Sequence, residues 1–271
     1  MSPLRPLHAL AGAFLLAAAL LASGCSQSFT GTEIASDAAA VKLTGNWQLS
    51  STSPYAGNLS ALSGAISGTS EHATGLFHSD SSKACASPSV IAELSGSSNA
   101  SGLLSLTGPY AGGTLSITGK PSADGKSLTN ASYTVSGGTC GFLTAAAAPA
   151  SFNAVATVSG TYTGTFNDVY GNQIYVSTVL SQTAPDANGN FVLSGYSNLP
   201  ANGCFNSPTA VDTAQVTGQQ FNVTYTDPNT GNSLVTSGTV SLDAQTLTVG
   251  SWTITGPCAG ENGTGGLLNK Q

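Results

Sequence analysis

Charge is the scarcest thing in this sequence: only 7% of its 271 residues are Asp, Glu, Lys or Arg, six cations against twelve anions. So few charges cannot keep a surface wet, and serine, threonine and amide side chains must do it instead. Arginine occurs once, at Arg5, and the lysines are scattered, which leaves no basic stripe and excludes a nucleic-acid partner. Histidine is confined to His8, His72 and His78, so a Ser-His-Asp arrangement has few places to reside. No CxxC pair exists, and with it go the common zinc and redox motifs. Long apolar runs are missing too, apart from Leu10 to Ala22, and no other stretch keeps a helical apolar stripe for three turns.

That one run follows Arg5 and ends in small residues. It is short for a membrane span and reads as a secretory signal. Its end, Leu21-Ala22-Ser23-Gly24-Cys25, resembles the lipobox of bacterial lipoproteins. The resemblance implies that residues 1–24 are removed as a signal peptide. It further implies that the Cys25 thiol receives diacylglycerol and that its new amino group is acylated, with palmitate-type chains. Each buried methylene contributes about 0.8 kcal/mol to such an anchor. The implied place is the cell envelope, with the membrane as partner through the lipid. Ser26 after the cysteine resembles the pattern sent to the outer membrane where two membranes exist. Residues 25–40, small and polar, read as a flexible tether. The mature chain then has no arginine and carries five lysines against twelve carboxylates, a formal charge of −7.

Beyond Cys25 the cysteines are Cys85, Cys140, Cys204 and Cys258, the first two 55 positions apart and the last two 54. Their surroundings repeat. "CASPS" at 85–89 faces "CFNSPT" at 204–209, and "DGKSLTNASYTVSGGTC" from Asp124 faces "DAQTLTVGSWTITGPC" from Asp243, at an offset of 119 that becomes 118 at the last cysteine. "LTGNWQ" at 43–48 pairs with "VSGTYTG" at 158–164, setting Trp47 opposite Tyr162. Two homologous domains are expected, 41–150 and 151–271, joined in the run "FLTAAAAPASF". An exported chain meets an oxidising environment, so the four cysteines should pair. Duplication selects Cys85–Cys140 and Cys204–Cys258 from the three possible pairings.

Both domains read as all-β. Leu115 and Ile117 share a face, as do Tyr133 and Val135; then Ile174, Val176 and Thr178; Phe221, Val223 and Tyr225; and Val240 and Leu242. In "LTVGSWTI" the apolar parity changes after Val249, so Gly250 marks a β-bulge. "SADGKS", "DANGN" and "DPNTGN" are turns. Short antiparallel strands at roughly ten-residue spacing fit a small meander barrel or a sandwich. "GNW" at 45–47 resembles the opening of lipocalin-type barrels, whose tryptophan plugs one end; the resemblance implies a meander.

Candidate chemistry is sparse. Glu71, His72, His78 and Asp80 are the only cluster of ligand-type residues, and they are expected to be solvated rather than metal-binding or catalytic. "DANGN" at 186–190 starts like a calcium loop but lacks the sixth-place glycine and closing glutamate of calcium hands, so no metal site is assigned. Asp227 reads as a turn starter that caps a backbone N–H. Tyr170 and Tyr175, in "FNDVYGNQIY", together with Trp47, are the candidate binding residues for a glycan or small ligand. No cofactor is expected. The leading expectation is a non-catalytic envelope lipoprotein with a structural or adhesive role. A small-ligand or glycan-binding lipoprotein comes second and an envelope hydrolase third.

Overall fold

The computed structural model describes residues 39–52, 59–80, 85–141, 147–199, 204–206 and 208–271. The leader, Cys25 and the tether up to residue 38 lie outside them. The described residues form strands throughout, with no helix among them. The first set comprises β1 (Gly45–Ser50), β2 (Ala61–Gly68), β3 (Ala73–Ser79), β4 (Ala92–Ser98), β5 (Leu104–Tyr110), β6 (Gly113–Pro121) and β7 (Ser127–Gly137). It ends with β8 (Ala148–Pro149) and β9 (Ser151–Val155), in effect one strand interrupted at Ala150. The second set is β10 (Gly160–Asp168), β11 (Gln173–Pro185), β12 (Phe191–Asn198), β13 (Thr209–Thr217), β14 (Gln220–Asp227), β15 (Asn232–Val240), β16 (Thr246–Thr255) and β17 (Asn262–Lys270).

Each set is an antiparallel meander closed on itself. In the first, β9 pairs with both β1 and β7; in the second, β17 pairs with β10. Closure decides between the two architectures left open by the sequence: these are barrels, not sandwiches. It also moves the domain boundary. Ser151–Val155, assigned above to the second domain, is the closing strand of the first barrel, because a meander needs its last strand beside its first. Phe152 lies in that first core, 5.0 Å from the Trp47 ring and 5.5 Å from Phe77.

The two-residue period places one side chain of each pair inside. Leu115, Ile117, Tyr133 and Val135 are buried in the first barrel, and Val176, Phe221, Val223 and Tyr225 in the second. Leu242 departs from its expected place: β15 ends at Val240, and Leu242, in the following turn, is exposed. The parity change at Gly250 is a bulge, since Ser251 faces Ser237 while Val249 faces Gly238. β7 breaks register at the matching place, between Thr129 and Ser132. Strand interiors also hold glycines that let neighbours approach: a Cβ on Gly64 would overlap the Leu76 carbonyl, and one on Gly164 that of Leu267.

The disulfides join Cys85 to Cys140 and Cys204 to Cys258, with Cα atoms 5.1 and 5.9 Å apart. Outward positions form polar bands that run around each barrel. Ser67, Thr74, Ser95, Thr107, Ser116 and Thr134 are successive cross-strand partners on β2 to β7. Gln215, Asn222, Ser237, Ser251 and Thr264 form a similar row on the second barrel. Such rows supply the wetting that the missing charges would otherwise supply.

Candidate functional site

Among the described residues, four places hold the candidate chemistry. The first is β3, which separates the ligand-type residues. His72 lies in the turn before the strand and is exposed with Glu71; His78 and Asp80 lie at the opposite end. A seven-residue strand spans roughly 20 Å, too far for one metal ion or one proton relay. No group of three or more such residues converges among the described residues.

The second place is the barrel interior. Trp47 is 0% exposed and donates from Nε1 to the Leu43 carbonyl at 2.7 Å, so it is packed in the core of the first barrel and presents no ring to a ligand. As a binding residue it is therefore corrected. Its counterpart Tyr162 is equally buried and donates its hydroxyl to the Ala244 carbonyl at 2.9 Å. Burial pushes the Tyr162 hydroxyl up to about 12, as it does those of Tyr110, Tyr133 and Tyr225. The second barrel keeps a cavity of about 30 Å³ among Phe166, Ile174, Val176, Leu199, Trp252 and Glu261. That is room for about two waters, below the size of a small-molecule site.

The third place is the β10–β11 hairpin. Asp168 shapes it by accepting from the backbone of Tyr170 and Asn172, at 2.8 and 2.7 Å, and from Asn172 Nδ2 at 2.7 Å. The Asn172 side chain first, then these backbone groups, hold the Asp168 carboxyl below the usual carboxylate range. The turn leaves Tyr170 86% exposed. Tyr175 and Leu267, which flank Thr165 on the outer face, are also exposed. Two of the three candidate binding residues are therefore exposed on this one hairpin. Asp186 builds the "DANGN" turn in the same manner through Asn188 and Asn190, and Asp227 caps the Asn229 N–H at 2.8 Å.

The fourth place was not legible in the sequence. Asn46 and Gln48 alternate with Trp47 and Leu49 on β1 and should face water, yet they are only 1% and 5% exposed. The second barrel covers them with its β13–β14 turn. Asn46 Nδ2 donates to the Gly218 carbonyl at 2.8 Å, and the Gly218 N–H donates back to Asn46 Oδ1 at 2.6 Å. The Gln219 N–H donates to Gln48 Oε1 at 2.9 Å. Ala65 on β2 joins the apolar cluster of the second barrel, and Gly189 of the "DANGN" turn comes close to Leu76. Residues Val41–Gln271 accordingly make one compact unit.

Compared with known protein families, curated proteins and solved structures, the chain has no match.

Proposed function

We propose that this chain is a non-catalytic cell-envelope lipoprotein, a stapled pair of barrels displayed on a lipid tether in a structural or adhesive role. Its main support is the packing of the barrels among the described residues: Trp47 and Tyr162 are buried in their cores, and the cavity beside Trp252 is about 30 Å³. The disulfides fit an oxidising compartment. The lipobox-like residues before Cys25 supply the anchor. Cells producing the full chain and grown with a radiolabelled fatty acid should label it, and Cys25→Ser should lose both label and membrane association. An unlabelled wild-type chain would end this reading.

A second reading, glycan binding, rests on the exposure of Tyr170 and Tyr175 beside amide-bearing Asn172 and Gln173. A glycan array probed with the wild type and with Tyr170→Ala tests it. Signal lost in the variant supports the reading, and a blank wild-type array removes it.

A further inference from the structure

The seam between the barrels holds groups that a solvent-facing sheet would not bury. Gln48 and Ser63 are cross-strand partners on the outer face of β1 and β2, yet Ser63 is 0% exposed. Asp80, just past β3, is half-buried beside them. Its Oδ2 accepts from Gln48 Nε2 at 2.7 Å, and its Oδ1 accepts from Ser63 Oγ. Since Gln48 Oε1 accepts the Gln219 N–H, one side chain links this carboxylate to the main chain of the second barrel.

No cation pairs with Asp80 among the described residues. The titratable groups around it are few. His78 lies two residues back on β3, and its field favours the anion. Tyr110 ends β5 and feels the Asp80 charge; its buried hydroxyl has no hydrogen-bond partner among the described residues. Further off on the same face are Glu93, paired with Leu76, and Asp186 in the turn lying on Leu76. The β13–β14 turn itself brings Thr217, Gly218 and Gln219, none of which titrates.

We propose that Asp80 is a proton-operated latch on this seam: protonated, it holds the Gly218–Gln219 turn more tightly than it does when ionised. The reason lies in the placement of single hydrogens. Ser63 has one hydroxyl hydrogen and two acceptors in reach, Asp80 Oδ1 and Gln48 Oε1, the latter at 3.1 Å. An ionised Asp80 takes that hydrogen, because charge strengthens the bond. Gln48 Oε1 is then left with the Gln219 N–H alone. When Asp80 gains a proton, it donates to Ser63, Ser63 donates to Gln48, and the chain is satisfied without a bare charge at a dry seam. Burial acts in the same direction, raising the Asp80 pKa above 3.8 despite its bonds to Ser63 and Gln48 and the field of His78. A carboxyl raised in the docked state adds stability as pH falls through that raised value, and the gain is complete below 3.8.

The amides of Gly218 and Gln219 report docking directly, because their acceptors belong to the first barrel. Hydrogen exchange on the full chain at about pH 7.5 and about pH 3.5, corrected for intrinsic rates, should show their protection rising several-fold in acid. Amides of β6 should change little. Asp80→Asn, which can donate from Nδ2 to Ser63 and accept from Gln48, should show high protection at both pH values. Equal wild-type protection at the two pH values, or a pH step that survives in Asp80→Asn, would overturn the latch. Gly218→Val is an independent arm, since its Cβ would overlap Gln48 Oε1 and Ser63 Oγ. It should leave the Gln219 amide unprotected and insensitive to pH; a step persisting there would assign the effect to another group.

Discussion

Trp47 and Tyr170 sit at the two extremes of aromatic placement, one with no exposed surface and the other 86% exposed. Replacing Trp47 with alanine empties its place in the core and removes its contact with Phe152, and should cost about 3–5 kcal/mol in denaturant unfolding. Tyr170→Ala should stay within about 0.5 kcal/mol of the wild type, since it uncovers no core. The buried role of Trp47 could be read from the resemblance of "GNW" to the opening of lipocalin-type barrels, although Trp47 also stood among the candidate binding residues. That of Asn46 and Gln48 could not. A polar residue alternating with an apolar one signals a wet face, and the partner that dries this face lies 172 positions along the chain. Alternation describes one barrel at a time and is blind to what lands on its outside.

Turns and strands were the most legible level, because glycine, aspartate and period-two spacing act locally. The turn aspartates also set the response to acid. Asp124 and Asp243 are held below the usual carboxylate range, each chiefly by a serine two residues back and then by a backbone N–H. The Asn206 backbone N–H holds Asp227 down, and at Asp186 the bonds from Asn190 and Asn188 outweigh the opposing effect of burial. A carboxyl lowered by folding adds stability that is complete above its unfolded pKa near 3.8 and is lost as pH falls through the lowered value. The thermal midpoint should therefore drop once pH falls below about 3.8, and Asp186→Asn should blunt that drop. Asp80 works in the opposite sense and should soften the upper part of the curve. The disulfides belong to this scale too. Opening the 54-residue loop with Cys204→Ser and Cys258→Ser together should cost about 4 kcal/mol on the chain-entropy model, read from the unfolding of the double variant.

At the scale of the molecule, the duplication visible in the cysteine spacing is a duplication of whole barrels, down to the bulge shared by β7 and β16. The boundary was harder to read, because the last strand of the first barrel is short and follows a run of small residues. The link between barrels is itself tied down: the Ala156 N–H donates to the Leu242 carbonyl at 2.7 Å, and the Val158 N–H donates to Gln182 Oε1 at 2.8 Å. With that link and the polar seam, the two barrels should unfold together. Calorimetry on the oxidised chain should give a single transition with calorimetric and van't Hoff enthalpies in a ratio of about one. Two resolved peaks would mean that the seam contributes little.

Because the first and last strands of each barrel are hydrogen-bonded neighbours, the chain leaves each barrel beside the point where it came in, Val155 next to Asn46 and Lys270 next to Tyr162. A module with adjacent ends can be strung on a thread like a bead, without unravelling its neighbours or crossing over them. Closure thus made tandem copying topologically free. The same geometry would admit a third bead, or a barrel re-cut at one of its turns with the old ends spliced, without a change of fold.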